Sequence, residues 1–221
     1  MELKKVYILF QQEITKRGIK YLIHFTECTN LLSIVQNRVL LSHNQLKVLN
    51  YEYLDITEIN DYARMDGLSS YINISIEHPN YYLLKKFKER MNEPHISWCI
   101  LKIDAKHIYN KDTLFSVSNA ASSDSRNKYG ISGDFDKFKL LFSDIIYIGR
   151  YTWKRNSLMP KYPTDIQAEI LVKESLPYDD ILEICFEDEE IMNRIKRAFE
   201  IEKADTTKFK IDKGLFLESR I

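Results

Sequence analysis

Apolar residues at Val6, Leu9, Phe10 and Ile14 fall on one side of a helical repeat over residues 6–17, and Gly18 supplies a stop for that helix. Residues 21–26 form a short β-prone run. Thr29 or Asn30 then caps a helix carrying Leu31, Leu32, Ile34 and Val35, and residues 39–42 read as a brief strand. Residues 49–62 mix loop and helix signals. The alternation of residues 71–76 predicts a strand, which Pro79 and Asn80 stop, and residues 82–90 make a basic amphipathic helix. Another strand spans 98–103, with a helical turn at 106–109. Residues 116–133 are rich in Ser, Asn, Asp and Gly, the composition of a long loop. Residues 138–142 are helical, 145–148 extended, and 149–164 a loop. Strands follow at 165–172 and 181–186, Asp188 opens an acid-capped helix reaching residue 202, and 208–211 is a last strand. Helices and strands do not alternate regularly, so the pattern predicts a single α+β domain over residues 1–221 and not a βαβ repeat.

The strand at 165–172 is the most informative. Its period of two puts Ala168, Ile170 and Val172 on a wholly apolar face, and Gln167, Glu169 and Leu171 on the other. A carboxylate and an amide two residues apart are poor choices for burial. They mark either an edge strand with a solvated face or a strand that carries chemistry.

Composition narrows the field. At 221 residues, with 44% hydrophobic and 12% aromatic content, the chain can bury one substantial core. Lys plus Arg and Asp plus Glu are equal at 32 each, so no global positive field advertises a nucleic-acid binder, although a local patch suffices to meet phosphates. Cys28, Cys99 and Cys185 lie far apart, with no disulfide or zinc spacing, which points to a reducing, cytoplasmic setting. The five histidines form no paired pattern, and no metal site is expected. Residues 1–12 lack the form of a signal peptide, and no apolar run approaches the ~20 residues needed to span a membrane.

No glycine-rich phosphate loop and no nucleophile elbow is present, which argues against a Rossmann dehydrogenase, a P-loop NTPase and a serine hydrolase. Acidic residues at 179–180 and 187–190 sit at helix starts, where the dipole accounts for them. Four features remain: His24 within 24–26, Arg64 beside Asp66 and Gly67, Ser75 in an apolar strand, and Glu169. Each taken singly has an ordinary structural explanation. The basic cluster Lys85, Lys86, Lys88 and Arg90 likewise reads as a solvated helix face. In the loop before Glu169, however, Arg150, Lys154, Arg155 and Lys161 interleave with Tyr151, Trp153 and Tyr162, a mixture that suits a single nucleic-acid strand.

Taken together and in order, His24-Phe25-Thr26, Asn30-Leu31-Leu32-Ser33-Ile34, Leu40-Leu41-Ser42-His43-Asn44, Arg64 and Gln167-Ala168-Glu169-Ile170-Leu171-Val172 resemble the DarT family, bacterial toxins that transfer ADP-ribose from NAD+ onto bases of DNA. The resemblance spans residues 20–186. It implies an ADP-ribosyltransferase-like fold, a split, mixed β core with surrounding helices and NAD+ as co-substrate in the cleft between two small sheets. It implies that Glu169 is the catalytic glutamate and that Arg64 meets the NAD+ phosphates and supports catalysis. His24, Phe25 and Thr26 would hold the nicotinamide-ribose end, Asn30 would lie near the adenosine or ribose portion, and Ser75 would join them in binding NAD+. Gln167, Arg150, Tyr151, Trp153, Lys154 and Arg155 would meet the acceptor strand. The stretches 75–81 and 119–122 resemble the guanine-modifying branch, whereas 118–125 lacks a histidine that thymine-modifying members carry. Single-stranded DNA is the implied partner, with RNA or protein as alternative targets and an inert nucleotide-binding module as a rival from another class. A macrodomain antitoxin and a phage-defence role are further implications.

The chemistry fits these residue types. Breaking the nicotinamide–ribose bond develops oxocarbenium character, which a carboxylate stabilises. The attacking base nitrogen must lose a proton, which the same carboxylate can accept. A guanidinium matches pyrophosphate geometry better than an ammonium does.

Overall fold

The structure is a computed structural model that describes residues 2–49, 67–91, 93 and 95–220. In chain order the elements are α1 (Tyr7–Arg17), β1 (Tyr21–Glu27), α2 (Asn30–Asn37), β2 (Val39–Leu41), α3 (His43–Val48), β3 (Tyr71–Ile76), α4 (Tyr81–Arg90) and β4 (Trp98–Asp104). Then come β5 (Leu114–Ser116), α5 (Phe135–Leu140), β6 (Ile145–Ile148), β7 (Tyr151–Lys154), β8 (Glu169–Lys173), β9 (Ser175–Pro177), β10 (Ile181–Phe186), α6 (Glu189–Ile201) and β11 (Phe209–Ile211).

Local chemistry sets many of these boundaries. Gly18, at φ 70°, ends α1, with its amide and that of Ile19 bonded back to Thr15 and Ile14 carbonyls. Asn80 and Asp188 side chains accept from the third residue onward to start α4 and α6. Thr29 precedes α2 but does not cap it, because its amide and hydroxyl both donate to Glu27. The short helix α3, capped by the Ser42 hydroxyl, has no apolar stripe and was not expected.

Seven strands form the main sheet in the order β11-β10-β4-β1-β3-β8-β5, and only β10 and β11 run parallel. Small pairs β2–β9 and β6–β7 stand apart. The sheet is continuous in order yet divided in pairing. β1 and β4 match along seven residues, Tyr21↔Asp104 to Glu27↔Trp98. By contrast, β1 and β3 share only Leu22↔Ile76 and Ile23↔Ser75. The two halves, β11-β10-β4-β1 and β3-β8-β5, therefore part beyond Ile23. This meets the expectation of a split α+β core.

Both halves bury one face in a shared core, and the larger half buries its other face in a second. On one side Leu22, Leu101, Ile103, Ile74, Ile170 and Ile184 join Phe10, Leu31, Phe138 and Phe199 of the helices. On the other, Ile23, Ile100 and Cys185 pack with Leu84 and Phe87 of α4 and with Leu215 and Phe216. Trp98 and Phe87 stack there with ring planes 5° apart. All three cysteines are buried and free. Among the described residues no helix is long and apolar enough to cross a membrane.

Three sequence expectations change. The strand expected at 165–172 begins only at Glu169, because residues 165–168 form a turn: the Asp165 carboxylate accepts from the Gln167 amide at 2.8 Å, and its carbonyl accepts from Ala168 at 3.1 Å. Gln167 therefore does not share a strand face with Glu169. β8 lies between β3 and β5, so the edge-strand reading is overturned, and Leu171 beside Glu169 is fully buried. The serine-rich stretch 116–133 is no solvated loop. Ser116, Val117, Ser118, Ala120 and Ser125 are buried, β5 pairs with β8, and Ser125–Tyr129 is a single π-helical turn. Within the expected loop 149–164, residues 151–154 are strand β7, paired with β6 in a hairpin.

Candidate functional site

Register places the polar residues of the split. Ile23 pairs with Ser75, and Ile74 pairs with Ile170, so one further step sets Ser75 level with Glu169. Glu169 in turn pairs with Ser116. Opposed residues in antiparallel strands share a face about 5 Å apart, so Ser75, Glu169 and Ser116 form one transverse polar row. All three are buried. One Glu169 oxygen is fixed at 2.8 Å by the backbone N–H of Ala120, from the segment that follows β5. The carboxylate is thus aimed by a strand on one side and a backbone amide on the other.

His24 lies at the seam itself. Continued at its starting register, the β1–β3 ladder would set Phe25 opposite Asn73. Instead the strands part, and the His24 ring nitrogen Nδ1 comes within 3.0 Å of the Asn73 carbonyl. A side chain replaces a ladder bond where the sheet opens. Thr26 is buried, and its hydroxyl accepts from the Asn30 side chain at 3.1 Å, tying the end of β1 to the first residue of α2. Phe25 points to the opposite face, against the Phe87 and Trp98 rings at 6.0 Å each, where it serves the second core. Arg64 lies outside the described residues.

Two buried carboxylates that the sequence reading did not single out brace this region. Glu27 accepts from the amides of Thr29 at 2.8 Å and Ser97 at 3.3 Å. Glu77, at φ 61° in the left-handed region, accepts from the Lys20 and Tyr21 amides and pairs with Lys161 at 3.2 Å. A non-glycine residue in that conformation is strained, and strain of this kind concentrates where precise placement matters.

The residues expected to meet an acceptor strand divide into two groups. Arg150 and Tyr151 form the exposed hairpin tip, with the guanidinium 5.5 Å from the Tyr151 ring centre, and Lys154 is exposed opposite Ile145. Trp153 turns inward, against the main core and 6.1 Å from the Tyr82 ring. Arg155 donates to the carbonyls of Tyr162, Met159 and Pro160 at 2.8, 2.9 and 3.0 Å, holding its own loop closed. Gly149 at the hairpin turn donates to Asp124 at 2.7 Å. That bond moors the tip to the segment whose Ala120 amide meets Glu169.

Further buried polar atoms surround the row. The Ser116 hydroxyl makes no hydrogen bond among the described residues, and the Ser118 hydroxyl lies beside the buried Asp165 carboxylate. Burial pushes the Asp165 carboxyl up to about 6, against the lowering influence of Ser118, the Gln167 amide and Arg220. Polar groups held this way, next to an oriented carboxylate, suit a polar small-molecule ligand better than a packed core. Nothing in the local pattern around Asp165 or Ser116 announces their burial. The only sequence signal was the want of large apolar residues in 116–133. Among the described residues no group of His, Cys, Asp and Glu is arranged to hold a metal ion.

Comparison with known proteins gives a consistent result. A family model described as ssDNA thymidine ADP-ribosyltransferase, DarT, matches residues 23–217. The fold is similar to that of Thermus sp. 2.9 DarT in complex with NAD+, at 17% identity and a TM-score of 0.60, covering 90% of this chain and 98% of that one. The same protein in complex with ADP-ribosylated ssDNA aligns at 15% identity and a TM-score of 0.56, with 90% and 97% covered. Thermosipho africanus DarTG in complex with ADP-ribose aligns at 17% identity and a TM-score of 0.58, covering 89% of this chain and 51% of that one. No curated protein matches.

Proposed function

The chain belongs to the DarT family of ssDNA ADP-ribosyltransferases, and from that premise we propose that it transfers ADP-ribose from NAD+ to a nucleobase of single-stranded DNA, with Glu169 as the catalytic carboxylate. The observation that carries the reading is the burial of Glu169 at the start of β8, its carboxylate aimed by the Ala120 amide, in the row beside the seam where the sheet opens. Solved relatives bind NAD+ and ADP-ribosylated ssDNA in the same fold, which supports NAD+ as the co-substrate here.

In this reading the dinucleotide enters the split between β1 and β3. His24, Thr26 and Asn30 line one lip, and Ser75 lies beside Glu169 on the other side. Phe25 lies on the same face of β1 as Ile23, which pairs with Ser75, and packs against Phe87 and Trp98; Arg64 is assigned to the pyrophosphate from the resemblance alone. The C1′–nicotinamide bond breaks with its electron pair leaving on nicotinamide. A base nitrogen then bonds to C1′, and its proton passes to Glu169 or to water. Glu169 stabilises the cationic ribose in between. Arg150, Tyr151 and Lys154 on the hairpin, with Trp153 behind them, supply charge and ring surface for the strand. Arg155 and Gln167 act at one remove, by shaping the loop and turn between hairpin and carboxylate.

Guanine is proposed ahead of thymine as the acceptor, because residues 75–81 and 119–122 resemble the guanine-modifying branch and 118–125 carries no histidine. The family description names thymidine, so both bases belong in the test. A toxin role opposed by a macrodomain antitoxin, and cytoplasmic action, complete the reading.

The experiment is incubation of the chain with NAD+ and oligonucleotides rich in each base, followed by nucleoside mass spectrometry. Wild-type protein is expected to add ADP-ribose to guanine, and Glu169→Gln to lose at least about 100-fold in kcat, the scale of one preorganised charge-stabilising group. Label in thymine alone corrects the base; label in RNA or protein alone overturns the DNA reading. Full activity of Glu169→Gln overturns the assignment of the carboxylate.

A further inference from the structure

The turn that presents Glu169 is held from an unexpected direction. Residues 217–220 return across the loop that precedes β8. Arg220 Nη1 donates to the Pro163 carbonyl at 2.6 Å, and the guanidinium lies 6.0 Å from the Tyr162 ring centre. Two residues along the chain stands Asp165, fully buried, with Oδ1 accepting from the Gln167 amide and the Ser118 hydroxyl beside the carboxylate. Each charge is felt at the other: burial depresses the Arg220 guanidinium and Asp165 opposes that, while Arg220 opposes the upward push of burial on Asp165. An ionisable carboxylate kept in such a place is costly unless a nearby cation uses it. Asparagine would close the same turn through its amide oxygen without that cost.

We propose that Arg220 is a positioning residue for Glu169: by holding the Pro163 carbonyl it fixes the loop that enters the turn at 165–168, and so where β8 begins and where the Glu169 carboxylate points. The proposal rests on the reading of Glu169 as the catalytic carboxylate. It goes beyond the family likeness, since the matched segment ends at residue 217.

The test compares wild type, Arg220→Ala, Arg220→Lys, Asp165→Asn and the double variant Arg220→Ala/Asp165→Asn. All are assayed for transfer from NAD+ to a single-stranded oligonucleotide at a temperature where each is fully folded. Arg220→Ala is expected to lower kcat about tenfold with KM for NAD+ nearly unchanged, because a displaced carboxylate weakens the transition state and not substrate binding. Arg220→Lys should restore part of that loss, and the double variant should be no worse than the poorer single variant. Exchange of the Gln167 and Ala168 amides should quicken in Arg220→Ala, an outcome readable without any activity. Unchanged kcat together with unchanged amide exchange overturns the proposal, and so does a lowered melting temperature with kcat intact. Glu169→Gln is the control that separates the two readings. If it stays active, the function assignment fails; if it is inactive while Arg220→Ala matches wild type, only the positioning role fails.

Discussion

Arg155 offers the sharpest separation of structure from substrate contact, because composition places it in an acceptor-binding loop while its bonds place it inside that loop. Three carbonyls accept from it at 2.8 to 3.0 Å, and the guanidinium also lies 5.7 Å from the Phe142 ring centre. Hydrogen bonds from a charged donor contribute about 1.5–3 kcal/mol when buried, but Arg155 is only half-buried and water can replace it at some of these carbonyls. Discounting accordingly, each bond contributes about 0.5–1 kcal/mol, and Arg155→Ala should cost about 2 kcal/mol in all. For a domain of this size that lowers Tm by about 4–8 °C. Scanning calorimetry reads the shift directly, in the absence of NAD+ and DNA. A Tm within about 1 °C of wild type, combined with a raised KM for the oligonucleotide, would show that the loop stands without this residue and that Arg155 meets the strand.

The other expectations are briefer. Asp165 has a folded pKa of about 6, above the usual 3.8, so the native state holds more protons than the unfolded chain between those values and stability falls as pH rises through that window. Asp165→Asn should remove that slope and gain on the order of 3 kcal/mol above pH 6, measured by urea unfolding at pH 5 and 7.5; parallel pH profiles for variant and wild type would refute it. Glu27→Ala strips an acceptor from the buried Thr29 and Ser97 amides and should cost about 2–4 kcal/mol in the same assay, whereas a loss under about 0.5 kcal/mol would show that water or a rearranged turn satisfies them. With the loss of activity expected in Glu169→Gln and the kcat effect of Arg220→Ala, these span both the scaffold and the site.

Where periodicity is strong the sequence is legible. β3, α1, α4 and α6 carry two-residue or helical spacing, with Gly18, Asn80 and Asp188 marking ends of the three helices, and β1, β4 and β10 are β-prone or apolar runs. The misreadings have two causes. Residues 165–168 alternate like a strand, but the Asp165 side chain bonds two residues ahead and converts them into a turn. Residues 116–125 have the composition of a loop, yet Ser116, Val117, Ser118, Ala120 and Ser125 are buried, with Ser116 paired to Glu169 across strands distant in sequence. Local pattern reports propensity; it does not report which segments a sheet will bring side by side. Glu169 could be singled out as a polar residue in an apolar run. Ala120 could not, since its contribution is a backbone amide that every residue but proline owns.

The distribution of burial across the sheet explains why the site sits where it does. Within β4, at the middle of the larger half, Trp98, Cys99, Ile100, Leu101 and Ile103 are buried and pack both cores, and the ladder to β1 runs the full strand. At the seam the ladder stops after two pairs, and the row running from it across β3, β8 and β5 is Ser75, Glu169 and Ser116. Each apolar replacement in that row would bury more hydrocarbon and desolvate less polarity, so the row is held at a standing cost in stability. The strained Glu77 and the Glu27 turn brace the strands of the seam from outside the row, and the Arg155 clamp holds the loop before β8. Substitutions that raise stability in the row should therefore lower transfer, while substitutions in the braces should lower stability first and transfer only through it. The same partition predicts that seam and brace variants, lying in separate networks, combine additively in stability, whereas variants within the Asp165–Arg220 turn do not.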